Sequence, residues 1–331
     1  MDRDIFSPTV LPNEKLIESS LRPRSLEEFI GQERVKAQLE IFLKASLKRG
    51  DTLDHILLYG PPGLGKTTLA YIIASELKVP IQVTSGPAIE KAGELVAILT
   101  SLEDGSVLFI DEIHRLRKPI EEILYPAMEE REVDIVIGKG TGARAIRIRL
   151  PRFTLVGATT RFGLVSPPLR DRFGIIERLD YYSPEEILKI AERSAKILNV
   201  KYETDALREI SNRSRGTPRI VNRLIKRVRD YAEVKGNGFI SRSLALEALN
   251  LFEIEEHGLD REDLRILETI AYKFGGGPVG IETLSSAIGE SSETIEEIYE
   301  PYLIKMGYIE KTPRGRIITQ NGLEILKARE K

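Results

Sequence analysis

A glycine-rich segment in the first third of the chain leaves few folds open to it: Gly60-Pro61-Pro62-Gly63-Leu64-Gly65-Lys66-Thr67-Thr68. It matches G-x-x-x-x-G-K-[ST] and lies between an apolar run at 55–59 and a helical pattern at 66–77, the strand-to-helix context of a phosphate-binding loop. Backbone N–H groups and the positive end of the helix hold phosphates in such a loop. An ordinary glycine-rich turn is the weak alternative. The loop residues predicted to bind nucleotide are Gly63, Gly65, Lys66, Thr67 and Thr68, with Lys66 at the β- and γ-phosphates and Thr67 on Mg²⁺.

A second motif places two acids at the end of an apolar strand. Asp111 and Glu112 directly follow the run 107–110. We expect Asp111 to hold Mg²⁺ through its water shell and Glu112 to polarise the attacking water as a base. A GTPase often uses Gln for that water, so the second acid favours an ATPase. The pair is weak evidence alone and strong evidence downstream of a P-loop.

Other residues are candidates to contact the transferring phosphate. A hydroxyl at Thr159 or Thr160 ends the strand after the acids and could sense the γ-phosphate; Thr160 is preferred, and a strand-end turn is the alternative. Arg170 and Arg172 compete as the arginine supplied from outside the pocket, and a surface ion pair is the alternative for either. Arg219 begins a basic helical stripe and fits a second γ-phosphate contact.

Alternation of short apolar runs with helical stretches predicts the fold of the N-terminal half. Apolar runs at 55–59, 81–83, 107–110 and 153–157, separated by helices, are typical of a mostly parallel α/β sheet with helices on both faces. The first helical pattern covers 25–49. One interruption differs, because 133–137 and 145–150 alternate apolar and polar residues around glycines, which predicts a protruding β-hairpin.

Beyond Tyr182 the pattern becomes wholly helical. Ser183-Pro184 is a helix start, and helices run to about residue 252. The last segment predicts a helix capped by Asp260, further helices at 281–288 and 293–306, and two short strands around Arg314, which together are typical of a winged helix. Pro301 should kink or split the third helix. The predicted domains are an arm at 1–20, a large ATPase domain at 21–182, a small all-α lid domain at 183–257 and a C-terminal winged-helix domain at 258–331.

Composition limits the partners and the compartment. The chain of 331 residues fits two or three domains, and its net charge of −2 means that any nucleic-acid contact must be local. It contains no Cys and only three His, which excludes disulfides, disfavours a structural zinc site and fits a reducing cytoplasm. The sequence has neither a signal pattern at 1–14 nor an apolar run long enough for a membrane helix.

Together these blocks resemble the RuvB family, the bacterial Holliday-junction branch-migration ATPases of the AAA+ class. The resemblance runs from about Leu21 to Arg316, and this order of motifs is far more restrictive than a P-loop alone. The segments that carry it are Leu21-Arg22-Pro23, Gly60 to Thr68, Ile110 to Arg115, Gly157 to Arg161, Leu169 to Gly174, Arg215 to Arg219 and Lys311 to Arg316.

The resemblance implies an ATP- and Mg²⁺-dependent hydrolase that drives double-stranded DNA through a homohexameric ring. It implies that the ring works on four-way junctions with RuvA and the RuvC resolvase, in recombination, DNA repair and the SOS response. Thr160 would be the first sensor, Arg172 the finger offered to the neighbouring subunit, and Arg219 the second sensor. Further implied nucleotide contacts are Leu21, Arg22, Glu129, Glu130, Arg131 and Tyr182. The hairpin at about 133–150 resembles the docking element for RuvA, and the implied DNA contacts of the wing are Lys311, Arg314 and Arg316.

Charge on the third C-terminal helix refines the DNA hypothesis. Between 291 and 304 there are four Glu and no Lys or Arg: Glu293, Glu296, Glu297 and Glu300. Carboxylates repel phosphates, so we expect this helix to stay out of the major groove and the wing to grip phosphates without reading sequence. That disfavours a nucleotide-regulated transcription factor. An initiator or clamp-loader-like switch shares these motifs, and the wing lowers the case for a protein-unfolding machine.

Overall fold

The computed structural model describes residues 20–137 and 144–329, so the predicted arm, except Ser20, and the tip of the predicted hairpin lie outside the described residues. Contacts divide the chain into two compact units. One contains Arg22–Gly60 with Leu64–Asp180, and the other contains Pro61–Gly63 with the chain from Tyr181 onward. Within the described ranges, no helix is both long and apolar enough to cross a membrane.

The first unit is an α/β domain. Its elements in chain order are α1 (Glu33–Arg49), β1 (Ile56–Tyr59), α2 (Lys66–Leu77), β2 (Ile81–Ser85), α3 (Ala92–Thr100), β3 (Ser106–Asp111), α4 (Lys118–Glu129), β4 (Glu132–Ile137), β5 (Arg144–Arg149), β6 (Phe153–Thr159), α5 (Pro167–Arg170) and β7 (Ile175–Arg178). The first helix is shorter than predicted. Gly31 and Gln32 both have left-handed backbone angles, so helical geometry begins only at Glu33.

A five-stranded sheet in the order β2-β3-β6-β1-β7 organises this unit, and each pair of neighbours is parallel. Strand β6 is buried throughout, as are β1 except for its last residue and β3 except for its last residue. Continuous burial explains why these strands are apolar runs in the sequence. Because all strands run the same way, the carboxyl ends of β3, β6 and β1 lie side by side at one edge.

Strand β7 was missed by the sequence analysis. Its burial alternates, with Ile175 and Glu177 facing inward and Ile176 and Arg178 outward. The inward Glu177 carboxylate pairs with Arg34 at 3.2 Å, and burial raises the pKa of Glu177. An acid at an inward position interrupts the apolar signal, so a short edge strand could not be recognised from hydrophobicity.

The predicted hairpin is confirmed as a separate antiparallel sheet. Strands β4 and β5 pair from Glu132↔Arg149 to Ile137↔Arg144. Val133 is buried in the α/β core, whereas the side chain of Ile146 is 47% exposed. The ribbon is therefore anchored at its base and presents an exposed aliphatic side chain farther out.

The second unit is mostly helical. Its elements are α6 (Pro184–Ile197), β8 (Lys201–Tyr202), α7 (Thr204–Asn212), α8 (Pro218–Lys235), β9 (Phe239–Ile240), α9 (Arg242–Leu251), α10 (Arg261–Glu268), α11 (Ile281–Ile288), α12 (Ser292–Thr294), α13 (Glu300–Lys305), β10 (Ile309–Thr312), β11 (Gly315–Ile318) and α14 (Gln320–Arg329). The predicted helix start at Ser183 is confirmed by a capping box with Glu186. The expectation of a wholly helical segment was wrong at β8 and β9, which form a two-residue parallel pair.

The C-terminal part of this unit has its own core and the expected winged-helix elements. Asp260 caps α10, Gly289 ends α11 in a left-handed conformation, and β10 pairs antiparallel with β11. The third helix is not continuous α-helix, because a π-helical turn at Ile295–Tyr299 separates α12 from α13. Pro301 lies in the first turn of α13, which agrees with the predicted break since Pro cannot donate within a helix.

Core packing generates a first prediction. Leu108 is fully buried in the middle of β3, so truncation to Ala should lower the free energy of unfolding by about 2–5 kcal/mol. Leu47, 55% exposed on α1, is the matched control, and Leu47→Ala should change stability by less than about 0.5 kcal/mol. Chemical denaturation followed by far-UV circular dichroism measures both. Equal effects of the two substitutions would contradict the assignment of β3 to the core.

Candidate functional site

The glycine-rich loop joins β1 to α2 and is built for an anion. Gly65 precedes α2 with a left-handed backbone and no capping side chain. The backbone N–H groups at the start of a helix are suited to bind an anion. Lys66 is buried, and its Nζ donates to the Gly60 carbonyl at 2.7 Å. The ammonium is thus held over the start of the loop, where phosphate oxygens would compete for it.

Gly60 fixes the position of the loop. Its N–H donates to Thr159 O at 3.2 Å, and Leu179 N donates to Tyr59 O at 2.8 Å. A Cβ on Gly60 would lie 2.2 Å from Leu179 O, and the φ of 138° is one that only glycine adopts readily. The loop is therefore tied to the ends of both strands that flank β1.

The two acids emerge at the same edge of the sheet. Asp111 is the last residue of β3, and its Oδ1 accepts from Glu112 N at 3.0 Å. Glu112 has a left-handed backbone with φ 46°, a strained conformation for a residue with a side chain. A Cβ on Gly86 would lie 2.4 Å from Glu112 O, so close packing behind the main chain keeps this bend in place. Both carboxylates remain partly exposed at the mouth of the site.

The structure distinguishes the two threonines at the end of β6. Thr160 is partly exposed, and its N–H and Oγ1 donate to Glu112 Oε2 at 3.4 and 3.2 Å. Thr159 is fully buried, and its Oγ1 lies 2.8 Å from His114 Nδ1. Thr160, and not Thr159, is therefore the hydroxyl bonded to the acid, and its role as a γ-phosphate sensor stays a prediction.

His114 is a site residue that the sequence analysis missed. Its Nδ1 lies 3.2 Å from Glu112 Oε2 and its side chain is only 4% exposed. It therefore links the buried Thr159 to the exposed acid. The one sequence feature that could have identified His114 is its position two residues after Glu112. A single histidine at that spacing matches no motif that would have marked it as a site residue.

The side chains fit a nucleotide with a divalent cation. Thr67 and Asp111 offer hydroxyl and carboxylate oxygens, the ligand type that Mg²⁺ prefers. Within residues 20–137 and 144–329 no group of three or more His, Cys, Asp or Glu could hold a metal. A cation here would complete its shell with phosphate and water oxygens, as Mg²⁺ does with nucleotides.

The second unit places its predicted nucleotide residues around α8 and the segment 61–63. Arg219 N donates to Gly63 O at 3.4 Å, and a Cβ on Gly63 would lie 2.8 Å from the Thr217 side chain. Tyr182 is buried, and its N–H donates to Gly216 O at 3.0 Å. Pro62, Gly63, Thr217 and Arg219 line one cavity. Leu21 is also buried, with its carbonyl 2.6 Å from Arg193 Nη1, while Arg22 in the α/β unit lies over the Tyr71 ring.

Arg172 and Arg170 have different surroundings. The Arg172 guanidinium lies over the Tyr125 ring at 4.4 Å and donates to Glu129 Oε2 at 3.1 Å. Arg170 lies over the Phe162 ring, which stacks on Tyr59. Tyr59 directly precedes the phosphate loop, so Arg170 belongs to the loop side of the sheet and Arg172 to the end of α4.

Sheet polarity shows which edge Arg172 occupies. The end of α4 lies at the amino edge, because Met128 O is 3.2 Å from Nε2 of His55, the residue before β1. Arg172 contacts the adjacent Glu129 and precedes the amino end of β7. Strands of four residues at ~3.3 Å per residue put about 13 Å of sheet between this edge and the phosphate loop. Glu130 and Arg131 follow α4 and belong to the same amino edge.

The basic residues of the wing are not equivalent. Arg314 is exposed between β10 and β11, and its side chain makes no ion pair with the described residues. Lys311, 51% exposed, lies 3.2 Å from Glu296 Oε1 and 3.5 Å from Glu300 Oε2. Arg316 is only 6% exposed and donates twice to the Glu300 carboxylate, at 2.8 and 3.0 Å. A phosphate contact by Arg316 would thus compete with a buried ion pair.

Two of the four acids on the third helix are neutralised by the wing. Burial alone would raise the pKa of Glu296, but hydrogen bonds from Lys311 and Arg316 outweigh it and lower that pKa. Glu300 is buried and paired with Arg316. Only two of the four acids therefore remain to repel phosphates as predicted. The other two, Glu296 and Glu300, hold the wing against the helix.

A parallel α/β sheet with a phosphate loop and adjacent acids, followed by a helical segment and a winged helix, defines the class of AAA+ P-loop ATPases with a DNA-type wing. Three family models match the chain along its length. They are described as the P-loop domain of the Holliday junction DNA helicase RuvB (residues 21–179), the RuvB AAA lid domain (182–255) and the RuvB C-terminal winged helix domain (256–327). The chain belongs to the RuvB family.

Individual relatives agree. The Holliday junction branch migration complex subunit RuvB of Fusobacterium nucleatum subsp. nucleatum is 57% identical over 323 residues, which cover 98% of this chain and 97% of the relative. The solved structure of the Thermotoga maritima RuvB Holliday junction branch migration motor has a TM-score of 0.85 at 51% identity, covering 93% of this chain and 98% of that one. A mutant form of the same protein gives a TM-score of 0.86 at 51% identity, with the same coverage. The predicted family, fold class, branch-migration function and ATP-hydrolase activity are therefore confirmed, and with them nucleotide binding.

The close approach at Gly60 generates the second prediction. Gly60→Ala should weaken binding of a fluorescent ATP analogue by at least about tenfold, because Cβ collides with Leu179 O and the backbone is strained by ~1–3 kcal/mol. The control is Gly93→Ala at the start of α3, where a Cβ meets nothing within 4 Å. That variant should bind the analogue normally. Normal binding by Gly60→Ala would show that the loop tolerates a displaced β1 end.

Proposed function

We propose that the chain moves the duplex arms of a four-way junction by hydrolysing ATP with Mg²⁺ at a site that only a second copy completes. The observation that supports this is the separation of Lys66 and Arg172 to opposite edges of one sheet. An arginine on the far edge of its own sheet is suited to a neighbour's phosphates. The proposed domains are a large ATPase domain (21–182), a lid (183–257) and a winged helix (258–331).

Within the phosphate loop each side chain has a distinct task. Lys66 and the N–H groups of α2 bind the β- and γ-phosphates, and Thr67 and Asp111 hold Mg²⁺. The cation, when bound, neutralises charge that develops on the transferring phosphoryl group. Glu112 accepts a hydrogen bond from the attacking water and orients it in line with the leaving oxygen. The strained backbone at Glu112 supports a fixed carboxylate direction.

Sensing uses residues that touch these groups. Thr160 bonds the Glu112 carboxylate, so loss of the γ-phosphate changes the partner available to both. Arg219 acts as the second sensor, since its backbone N–H donates a hydrogen bond to the Gly63 carbonyl in the loop. Leu21, Arg22 and Tyr182 complete the pocket of the same chain.

We propose a homohexameric ring in which each Arg172 serves the adjoining site. Glu129, Glu130 and Arg131 share its edge of the sheet and accompany it to the neighbour's nucleotide. A head-to-tail contact of this kind closes into a ring because each copy offers one edge and receives the other. Arg170, on the loop side, is not the finger in this scheme.

The proposed partners come from the family resemblance, and one exposed element supports the first of them. The hairpin of β4 and β5 docks RuvA, and the exposed Ile146 supports an apolar protein contact there. RuvC joins the same assembly as the resolvase. We place the protein in the cytoplasm with chromosomal DNA, acting in recombination, DNA repair and the SOS response.

Mixing two inactive variants tests the shared site. Arg172→Ala and Glu112→Gln should each lower ATP turnover by at least about 100-fold, while Glu112→Gln still binds ATP. In a mixture of equal amounts, about one interface in four joins an intact Glu112 to an intact Arg172, so turnover and four-way junction migration should partly return. Phosphate release and junction migration with RuvA are the measurements.

The control for this mixture is Arg170→Ala, which should be active alone. If Arg172 acted on its own chain, no mixture could restore turnover, and the shared site would be refuted.

The wing supports a contact with DNA phosphates. We propose that Arg314 and Lys311 touch the backbone of either strand and that Arg316, held by Glu300, adds charge while it fixes the position of β11. Phosphate contacts carry no base information, which suits a motor that acts on any duplex.

Salt dependence tests the wing. Arg314→Gln should weaken binding to duplexes of unrelated sequence to the same degree and reduce the slope of log Kd against log salt by about 0.9. Arg265→Gln, which removes an exposed arginine from α10 in the same domain, is the control and should leave that slope unchanged. Fluorescence anisotropy over a salt series gives both slopes. A loss confined to one sequence would contradict phosphate binding.

A further inference from the structure

Arg215 is a buried charge in the loop between α7 and α8. Its side chain is 3% exposed, and its backbone has φ 60°. The Nε donates to the Gly258 carbonyl at 2.7 Å. The loop belongs to the lid, whereas Gly258 lies at the start of the winged-helix match, so this side chain crosses from one domain to the next within the second unit.

The partners of Arg215 are two acids and an aromatic ring of the winged helix. Its Nη2 hydrogen-bonds Asp263, which is fully buried, and lies 3.3 Å from Asp260 Oδ2. The guanidinium also lies over the Tyr302 ring at 5.0 Å, and Tyr302 donates to His257 O at 2.7 Å. One side chain thus joins the lid to the first and third helices of the winged helix.

Such a pair contributes little net stability. Burial raises the pKa of Asp263, and the charge of Arg215 is the main influence that opposes the shift. Desolvation of two buried charges typically offsets most of their attraction, so an apolar contact could hold the domains as well. What an ion pair adds is direction, because a guanidinium and a carboxylate meet in a fixed geometry.

The other end of the same loop carries Arg219. Gly216 O accepts from Tyr182 N at 3.0 Å, and Thr217 N donates to Ser214 O at 3.0 Å, so the main chain between the two arginines is fixed. Arg219 follows in the first turn of α8. A displacement of Arg219 therefore moves Arg215 with it, since only three residues lie between them.

A second contact lies beside the first. Lys305 Nζ, at the end of α13, is 4.0 Å from the centre of the Tyr181 ring. Burial raises the pKa of Tyr181 to about 12, so the ring stays neutral and favours the cation. The first contact joins the lid to the third helix, and the second joins Tyr181, just before the lid match, to the same helix. That helix in turn holds the wing through Glu300 and Arg316.

We propose that Arg215 is a positioning residue that transmits the nucleotide state sensed at Arg219 to the winged helix through its ion pair with Asp263. The inference rests on the proposed sensor role of Arg219. Its consequence is that nucleotide and DNA affinities are linked, and that the link runs through this pair. Arg215 lines the same cavity as Arg219, whereas Asp263 does not, so a change at Asp263 breaks the ion pair without altering the cavity lining.

Thermodynamic linkage tests the transmission. In the wild type, a non-hydrolysable ATP analogue should change the affinity for a four-way junction by about tenfold, and the junction should change the affinity for the analogue by the same factor. In Asp263→Asn, each ligand alone should bind within about twofold of wild type. The mutual factor, meaning the fold-change that one ligand causes in the affinity for the other, should fall to about one. Titrations of each ligand with and without the other supply the four constants.

The control is Glu262→Gln, one residue away, whose partner Arg265 is at the surface. It should keep the wild-type factor. If Asp263→Asn does not fold, Arg215→Lys serves instead, because Lys keeps the charge but loses the fork that bonds Gly258 and Asp263 together.

Two outcomes separate the hypotheses. A purely structural role would lower the thermal midpoint and weaken both ligands while the mutual factor persists, and that result would overturn the inference. Absence of any mutual factor in the wild type would instead refute the proposed motor function.

Discussion

One polarity governs the chemistry of this chain: neighbouring strands of the central sheet all run the same way. Parallel β3, β6 and β1 end at one edge of the sheet, so Asp111, Thr160 just after β6, and Gly60 lie near one another there. The same polarity sends Glu129 and Arg172 to the other edge. The proposed role of Arg172 at a neighbour's nucleotide rests on this placement, because the arginine lies across the sheet from the phosphate loop of its own chain.

The charged side chains of the winged helix are arranged in pairs between the wing and the acidic third helix. A chain with a net charge of −2 cannot rely on overall attraction to DNA, and the wing concentrates its basic groups in one hairpin. Glu296 and Glu300 fix the positions of Lys311 and Arg316, so the acidic helix is the support of the wing. Arg314 at the turn is left with its charge directed outward. The proposed contact through this one exposed turn would favour rapid release, which suits a translocating motor.

Sequence reasoning succeeded where the signal was local. The loop at 60–68, the acids at the end of β3 and the cap at Ser183 each depend on a few adjacent residues, and each lies where it was predicted. It failed where a distant partner decides the outcome. Glu177 turns inward because Arg34 meets it, His114 matters because Thr159 and Glu112 flank it, and Arg316 is buried because Glu300 accepts it. The proposal that Arg172 rather than Arg170 serves a neighbouring site likewise rests on the strand order, which includes the unpredicted β7.

The proposed role of Arg215 concerns how a change at the nucleotide reaches the DNA-binding domain. A motor must carry a change of about one phosphate's size to a distant DNA contact, and a soft apolar interface would absorb a shift that small. Buried ion pairs stabilise weakly but resist sliding, because their bonds hold only in one geometry. The chain places such a pair four residues from Arg219 and joins it to the helix that supports the wing. In this proposal the buried charge at Arg215 serves to keep the connection between Arg219 and the wing rigid, and not to raise the affinity for nucleotide or DNA.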